Sequence, residues 1–129
     1  MIYIGMVGSR ERDSEEDYML VRRHIIEYKV KFLSITIVSG GADGIDSIAR
    51  RVADDLGIPI IEHLPKYEEY SEKGNDIYSD RNKLIAIDSK YLNAYPINMS
   101  GGTMNTVRQF KELGKNIVDK LRIYNKVVN

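Results

Sequence analysis

The chain has no cysteine. Disulfides, thiolate metal sites and cysteine nucleophiles are therefore excluded, although that absence alone assigns no compartment. It has no net charge either, because nineteen basic and nineteen acidic side chains cancel. The chain as a whole makes no electrostatic appeal to nucleic acid or to an anionic membrane, and any basic face must be local. No apolar run is long enough to span a bilayer, and the opening MIYIGMVG has no basic leader in front of it. The expectation is a cytoplasmic protein without a membrane partner. Linkers, internal repeats and low-complexity tracts are also missing. At 129 residues the chain suits one domain, residues 1–129, that buries roughly two thirds of its surface on folding.

What is present is an alternation of two periods. IYIGMV (Ile2 to Val7) and ITIVS (Ile35 to Ser39) are short and nearly all apolar, as expected of central strands covered on both faces of a parallel sheet. Between them, DSEEDYMLVRRHIIEYKV offers Asp13 or Ser14 as N-cap, acids in the first turn, and Tyr18, Val21, Ile25 and Tyr28 at helical spacing. That predicts a crossover helix. From Gly44 onward Ile45, Ile48, Ala49, Val52, Ala53 and Leu56 recur with the helical period, and Gly57 follows as a terminator, so a second helix packs one face on the sheet. IPIIEHL, with Pro59 near its start, predicts a third strand toward one edge. Lys66 to Asn75 is polar and aperiodic, a surface excursion near the ligand edge. DIYSDRNKLIAIDSK then reads as a helix, YLNAYPI as a fourth strand, SGGTMNTVRQFKELG as a helix ending at Gly114, and NIVDKLRIY as the last strand. Parallel strands need crossovers, so the fold class is α/β, a doubly wound, mainly parallel five-stranded sheet with helices on both faces.

In such a sheet ligands bind beyond the carboxyl ends of the strands, where the strand order reverses. Three turns should gather there: Gly8, Ser9 and Arg10 after the first strand, SGGADGID (Ser39 to Asp46) after the second, and SGGT (Ser100 to Thr103) after the fourth. Glycine lets the backbone take positive φ and lets a ligand come close, and the free amides of a helix start favour an anion. Two helix starts facing one crevice predict a phosphate seat over Gly40, Gly41 and the Gly101, Gly102, Thr103 turn. A glycine pair after a strand also serves as a plain tight turn. Neither G-x-G-x-x-G nor the Walker lysine pattern occurs, which argues against an ordinary NAD enzyme and a P-loop ATPase.

These motifs carry a family resemblance. TIVSGGADGIDSIARRVADDLG resembles the signature segment of the DNA-processing protein A (Smf/DprA) family, SDRN (Ser79 to Asn82) resembles that family's arginine–asparagine motif, and SGGTMNT resembles its later glycine-rich turn. With GSR, and in this order, they are similar to the wider SLOG superfamily that joins Smf/DprA with the Lonely Guy proteins. The resemblance covers nearly the whole chain as a core, without the flanking domains of DprA proteins. It implies a Rossmann-like fold, a nucleotide or nucleotide-derived ligand, no required cofactor, and a homo-oligomer, most simply a dimer. The chain is then a sensor or a nucleotide-processing protein. Lonely Guy enzymes, which cleave nucleoside monophosphates to base and ribose phosphate, carry a glutamate shortly after their glycine–glycine–threonine motif. Here Asn105 and Thr106 follow, and neither is an acid or base at neutral pH, so no catalytic residue is assigned. Single-stranded DNA is the second partner the resemblance implies. Such binding needs a basic groove with stacking aromatics, and Arg108, Lys111, Lys115, Lys120 and Arg122 supply cations toward the C-terminus.

The expected ligand residues are thus Gly8, Ser9, Arg10, Ser39, Gly40, Gly41, Ala42, Asp46, Arg81, Asn82, Gly101, Gly102 and Thr103. Asp43 suits an N-cap and Asp46 the first helical turn, where the dipole stabilises a carboxylate. Asp46 alternatively faces inward to orient a neighbouring loop or a ribose hydroxyl. Arg10 and Arg81 meet a phosphate by bidentate bonds or form surface ion pairs. Asn82 reads a base edge or caps its own helix. His24 reads as a packing residue and His63 lies near the ligand edge, with no metal-ligand spacing between them. Tyr67, Tyr70 and Tyr78 stack on a base or fill a subunit interface.

Overall fold

The two apolar runs form the middle of the sheet, and their side chains alternate between two cores. The computed structural model describes residues 1–129. In β1 (Ile2–Gly8), Ile4 and Met6 point to one face and Val7 to the other; in β2 (Ile35–Ser39), Ile35 and Ile37 oppose Val38 in the same way. The first face is covered by α1 (Glu15–Lys31) and α2 (Ile45–Leu56), through Val21, Ile25, Ile48, Ala49 and Val52. The second is covered by α4 (Asp76–Asp88) and α5 (Gly101–Glu112), through Ile85, Ala86, Val107 and Phe110. Each fully buried aliphatic side chain contributes about 1.5–3 kcal/mol, so this two-sided filling sets the register of every strand.

The sheet also contains β3 (Ile60–Glu62), β4 (Tyr91–Tyr95) and β5 (Leu121–Ile123), in the order β3-β2-β1-β4-β5, with every pairing parallel. This is the doubly wound, Rossmann-like arrangement expected. Two strands lie to one side of β1 and two to the other, so the chain reverses its direction of winding between β1 and β4. The first helix begins at Ser14, whose hydroxyl accepts the Asp17 amide while the Asp17 carboxylate accepts the Ser14 amide, a reciprocal cap. No helix is long and apolar enough to cross a membrane.

Two segments differ from expectation. The excursion Lys66 to Asn75 is not irregular: it holds a 3₁₀ turn at Tyr67–Glu69 and the short α3 (Tyr70–Lys73), closed by Gly74 at φ 55°. Glu69 and Lys73, 3.4 Å apart one turn from each other, support it. The last strand is only Leu121–Ile123 rather than the whole of NIVDKLRIY. Asp119 takes φ 66° just before it, and a residue in the left-handed region cannot belong to an extended ladder.

Candidate functional site: a crevice at the switch point

Where β1 and β4 end side by side, their chains leave in opposite directions, and a crevice of about 520 Å³ opens between them. Gly8, Ser9, Arg10, Ala42, Asp46, Arg81, Asn82, Gly101, Gly102 and Thr103 line it, with Val7, Tyr78, Ile85 and Ile97 as apolar wall. Ser39, Gly40 and Gly41 are not in its lining.

The start of α5 is the open part. Ser100 occupies the N-cap position in extended conformation, but its hydroxyl donates to the Ile97 carbonyl at 2.8 Å instead of accepting from the helix. The amides of Gly101, Gly102 and Thr103 make no hydrogen bond within the chain, and no acidic residue stands in the first turn. Unsatisfied amides and an uncompensated dipole together favour an anion at this point. Arg10, exposed on the β1–α1 turn, and Arg81, half-buried on α4, add positive charge, and the two guanidiniums lie close enough for Arg10 to oppose the charge of Arg81.

The start of α2 is closed, contrary to the expectation of two open helix starts. Its N-cap is Gly44, not Asp43, and no side chain caps it. The Ile45 amide donates to the Ser9 carbonyl at 3.3 Å. Gly44 adopts φ 72°, and a β-carbon there would stand 2.3 Å from the Ser9 carbonyl oxygen, so the β1–α1 turn is pressed onto this helix end. The glycine pair is filled as well. Asp46 accepts the Ala42 amide at 3.2 Å through its Oδ2, and Arg81 Nη1 donates to the Gly40 carbonyl at 2.6 Å. A β-carbon on Gly40 would lie 2.6 Å from that Nη1 and 2.9 Å from the Asp46 carboxylate, while Gly41 faces Leu64. The turn therefore already holds an anion, the protein's own. Burial pushes the Asp46 pKa up to about 6, against the pull of the Ala42 amide, the Arg81 charge, the Ser39 hydroxyl and the Gly40 amide. The fully buried Ser39 hydroxyl finds no well-aligned partner, though it lies close enough to favour the ionised carboxylate.

Asn82 joins the two halves of the site. Its carbonyl oxygen accepts from Arg81 Nε at 2.9 Å, and its amide donates to the Gly102 carbonyl at 3.3 Å and to Asn105 Oδ1 at 3.1 Å. Gln109 continues the chain, donating to the same Asn105 oxygen and to the Ser79 carbonyl, both at 2.9 Å. Asn82 thus neither caps α4, which starts after Asn75, nor has an amide free for a base. Arg81 is braced on three sides, since it also reaches the His63 carbonyl at 3.4 Å.

The remaining candidates separate. Tyr78 lines the crevice, and Tyr67 packs edge-on against it at 6.4 Å, while Tyr67 and Tyr70 are exposed. His24 is buried far along α1, its Nδ1 2.7 Å from the Tyr95 hydroxyl and its ring stacked on Tyr124; burial lowers its pKa and keeps it neutral. His63 pairs with Asp88 at 2.6 Å.

Arg12 is not among the expected site residues, and Lys115, expected among the cations for DNA, is engaged within the fold. Arg12, 5% exposed, pairs with Asp17 at 3.0 Å and donates to the carbonyls of Pro96 and Tyr124, tying the two walls of the crevice together. Only its position beside a cap pointed to it, because its carbonyl partners are distant in the chain. Lys115 reaches the Ala86 and Ser89 carbonyls at 2.9 and 3.1 Å and so finishes α4, where the last carbonyls lack partners.

A model of the family described as DNA recombination-mediator protein A matches residues 1–66, from β1 through β3, with the first two glycine turns. No curated protein matches the chain significantly. Among solved structures, DNA processing protein A (DprA) from Streptococcus pneumoniae superposes with a TM-score of 0.70 at 20% identity over 97% of this chain and 50% of that one. The present chain therefore spans half the length of that protein. A structural-genomics target, TM1055, superposes with a TM-score of 0.64 at 13% identity over 97% of this chain and 92% of that one. At these identities the likeness to both is one of fold.

Proposed function

The chain belongs to the DNA recombination-mediator protein A family, and from that premise we propose that the crevice between β1 and β4 binds the phosphate of a nucleotide or nucleotide-derived ligand, to sense it or to process it. The observation that carries this reading is the start of α5, where three unpaired amides face a crevice that also holds Arg10 and Arg81. A volume of about 520 Å³ falls within the usual range for small-ligand sites. The phosphate rests on Gly101, Gly102 and Thr103, and the nucleoside runs toward Tyr78 and Ile85. Asp46 keeps the anion to that side, since two charges 4 Å apart repel by about 1 kcal/mol even in water-like surroundings and more when dry. In any proton transfer there, Asp46, with its pKa of about 6, is the group poised to exchange a proton near neutral pH. Asn105, by contrast, is held in the hydrogen-bond chain under the crevice.

Isothermal titration with nucleoside mono- and diphosphates and ADP-ribose, beside native mass spectrometry for ligand mass, tests the reading. Arg10 has no hydrogen bond or ion pair within the chain, so Arg10→Ala should leave the melting temperature in place and weaken binding about tenfold, the loss of one charge-assisted bond. Absence of saturable binding across the panel rejects the proposal.

Single-stranded DNA is the second reading, supported by the family and by a second groove that shares Arg81 with the crevice and carries Lys66, Lys73 and Lys83, with Tyr67 and Tyr70 exposed on the segment beside it. Against it, two of the five C-terminal cations are engaged: Lys115 on α4, and Arg122 with Asp119 at 3.5 Å.

A further inference from the structure

The helix α1 is apolar on two faces and uses only one. Val21 and Ile25 are fully buried against the sheet. On the opposite side of the same helix Met19, Ile26 and Val30 stand 57%, 37% and 83% exposed, and Leu33, just past the helix end, is 100% exposed. Spacings of seven and four residues place these three on one line along the helix. Nothing in the chain covers that line. A solvated helix face ordinarily carries charge, and these side chains gain nothing from packing in a single copy.

The charges beside the stripe indicate what covers it. Along one flank run Glu16, Arg23 and Glu27; within the chain Arg23 and Glu27 pair only loosely, at 4.0 Å, with both side chains about two-thirds exposed. When two such helices lie antiparallel, each flank meets the same flank of its copy. With the axis beside Ile26, Arg23 of each copy comes opposite Glu27 of the other, Met19 of each comes beside Val30 of the other, and the two Ile26 side chains meet near the middle. The pattern is self-complementary, as an interface with two-fold symmetry requires.

We propose that this stripe is the contact through which two copies of the chain associate, their α1 helices antiparallel about a two-fold axis beside Ile26. The stripe is small, so the association is weak and concentration-dependent. It lies on the helix face turned away from the sheet and does not depend on what the crevice binds.

Sedimentation equilibrium over a wide concentration range should show a monomer–dimer equilibrium that Ile26→Glu and Val30→Glu each shift to monomer with unchanged circular dichroism and melting temperature. Arg23→Glu should weaken the dimer, and the double variant Arg23→Glu with Glu27→Arg should restore it. Because the chain has no cysteine, geometry can be read directly: Met19→Cys chains mixed with Val30→Cys chains should form the mixed disulfide in excess over either homodisulfide. A monomer at every concentration, a dimer that survives Val30→Glu, or Met19→Cys chains that link to each other as readily as to Val30→Cys chains would overturn the proposal.

Discussion

Asp46 sits in the place where a ligand's phosphate would be expected from the glycine pair alone. Its pKa rises from 3.8 to about 6 on folding, chiefly through burial, and the sign of the consequence follows from proton counting. Between those two values the folded chain holds a proton that the unfolded chain has released, so stability contributed through Asp46 is highest at the acid end. It falls as pH rises through the folded value, by on the order of 3 kcal/mol in all. His24 works in the other direction. Its folded pKa lies below 6.5, so its contribution is intact above that value and is lost as pH falls through the depressed one. Urea unfolding of the wild type and of Asp46→Asn at a series of pH values separates them. Relative to Asp46→Asn, the wild type should gain stability by roughly that amount as pH is lowered from 7 to 4, and a constant offset between the two excludes the assigned burial of the charge. A carboxylate beside a glycine turn was visible in the sequence. Its neutraliser was not, because Arg81 comes from a helix on the other side of β3 in chain order, and a single sequence contains no record of that pairing.

Among the elements, the helices and central strands were legible because a buried face imposes a period, and the periods of Ile45 to Leu56 and of the two apolar runs are unbroken. What the period does not report is which helix start stays open. Ser100 and Gly44 look equally suited to line a phosphate seat, yet one turns its hydroxyl toward Ile97 and the other is covered by the Ser9 carbonyl. Substituting the glycines distinguishes the two. At Gly44, an alanine meets backbone oxygens at 2.3 and 2.5 Å with φ at 72°, and neither atom can move without shifting the β1–α1 turn, so Gly44→Ala should cost at least about 2 kcal/mol in urea unfolding. At Gly102 the nearest atom is Asn82 Nδ2 at 3.8 Å, and the residue is helical, so Gly102→Ala should keep or slightly raise stability, by up to about 1 kcal/mol. Its methyl group would nevertheless intrude on the amide seat. A variant that folds as well as wild type and binds the nucleotide as tightly would move the ligand away from α5. The excursion after β3 and the shortened β5 were missed for a related reason: Gly74 and Asp119 set left-handed turns, and Asp119 belongs to a residue type whose visits to that region depend on context.

At the scale of the whole molecule the balance of charge is zero, and any attraction for DNA has to come from the cations the fold leaves free. Arg10 at the crevice and Lys66 and Lys83 at the adjoining groove are the free ones placed together, with Arg81 between them, its guanidinium already held by Gly40, His63 and Asn82; Lys73 is held by Glu69 and Asp80, and Lys115 by the end of α4. A strand crossing this surface therefore neutralises only about three or four phosphates, which for single-stranded DNA gives a slope of roughly −2 to −3 in log affinity against log salt. A mononucleotide seated on α5 meets fewer cations and should respond less. Fluorescence anisotropy with a labelled oligothymidylate, repeated from low to moderate salt and in the presence of the best nucleotide, measures both at once. If the crevice is the shared phosphate seat, the nucleotide displaces the oligonucleotide and Arg10→Ala flattens the slope by about 0.7, the share of one phosphate on a single strand. Undiminished oligonucleotide binding beside a saturated crevice would place the DNA on another surface and leave the crevice to the small ligand alone.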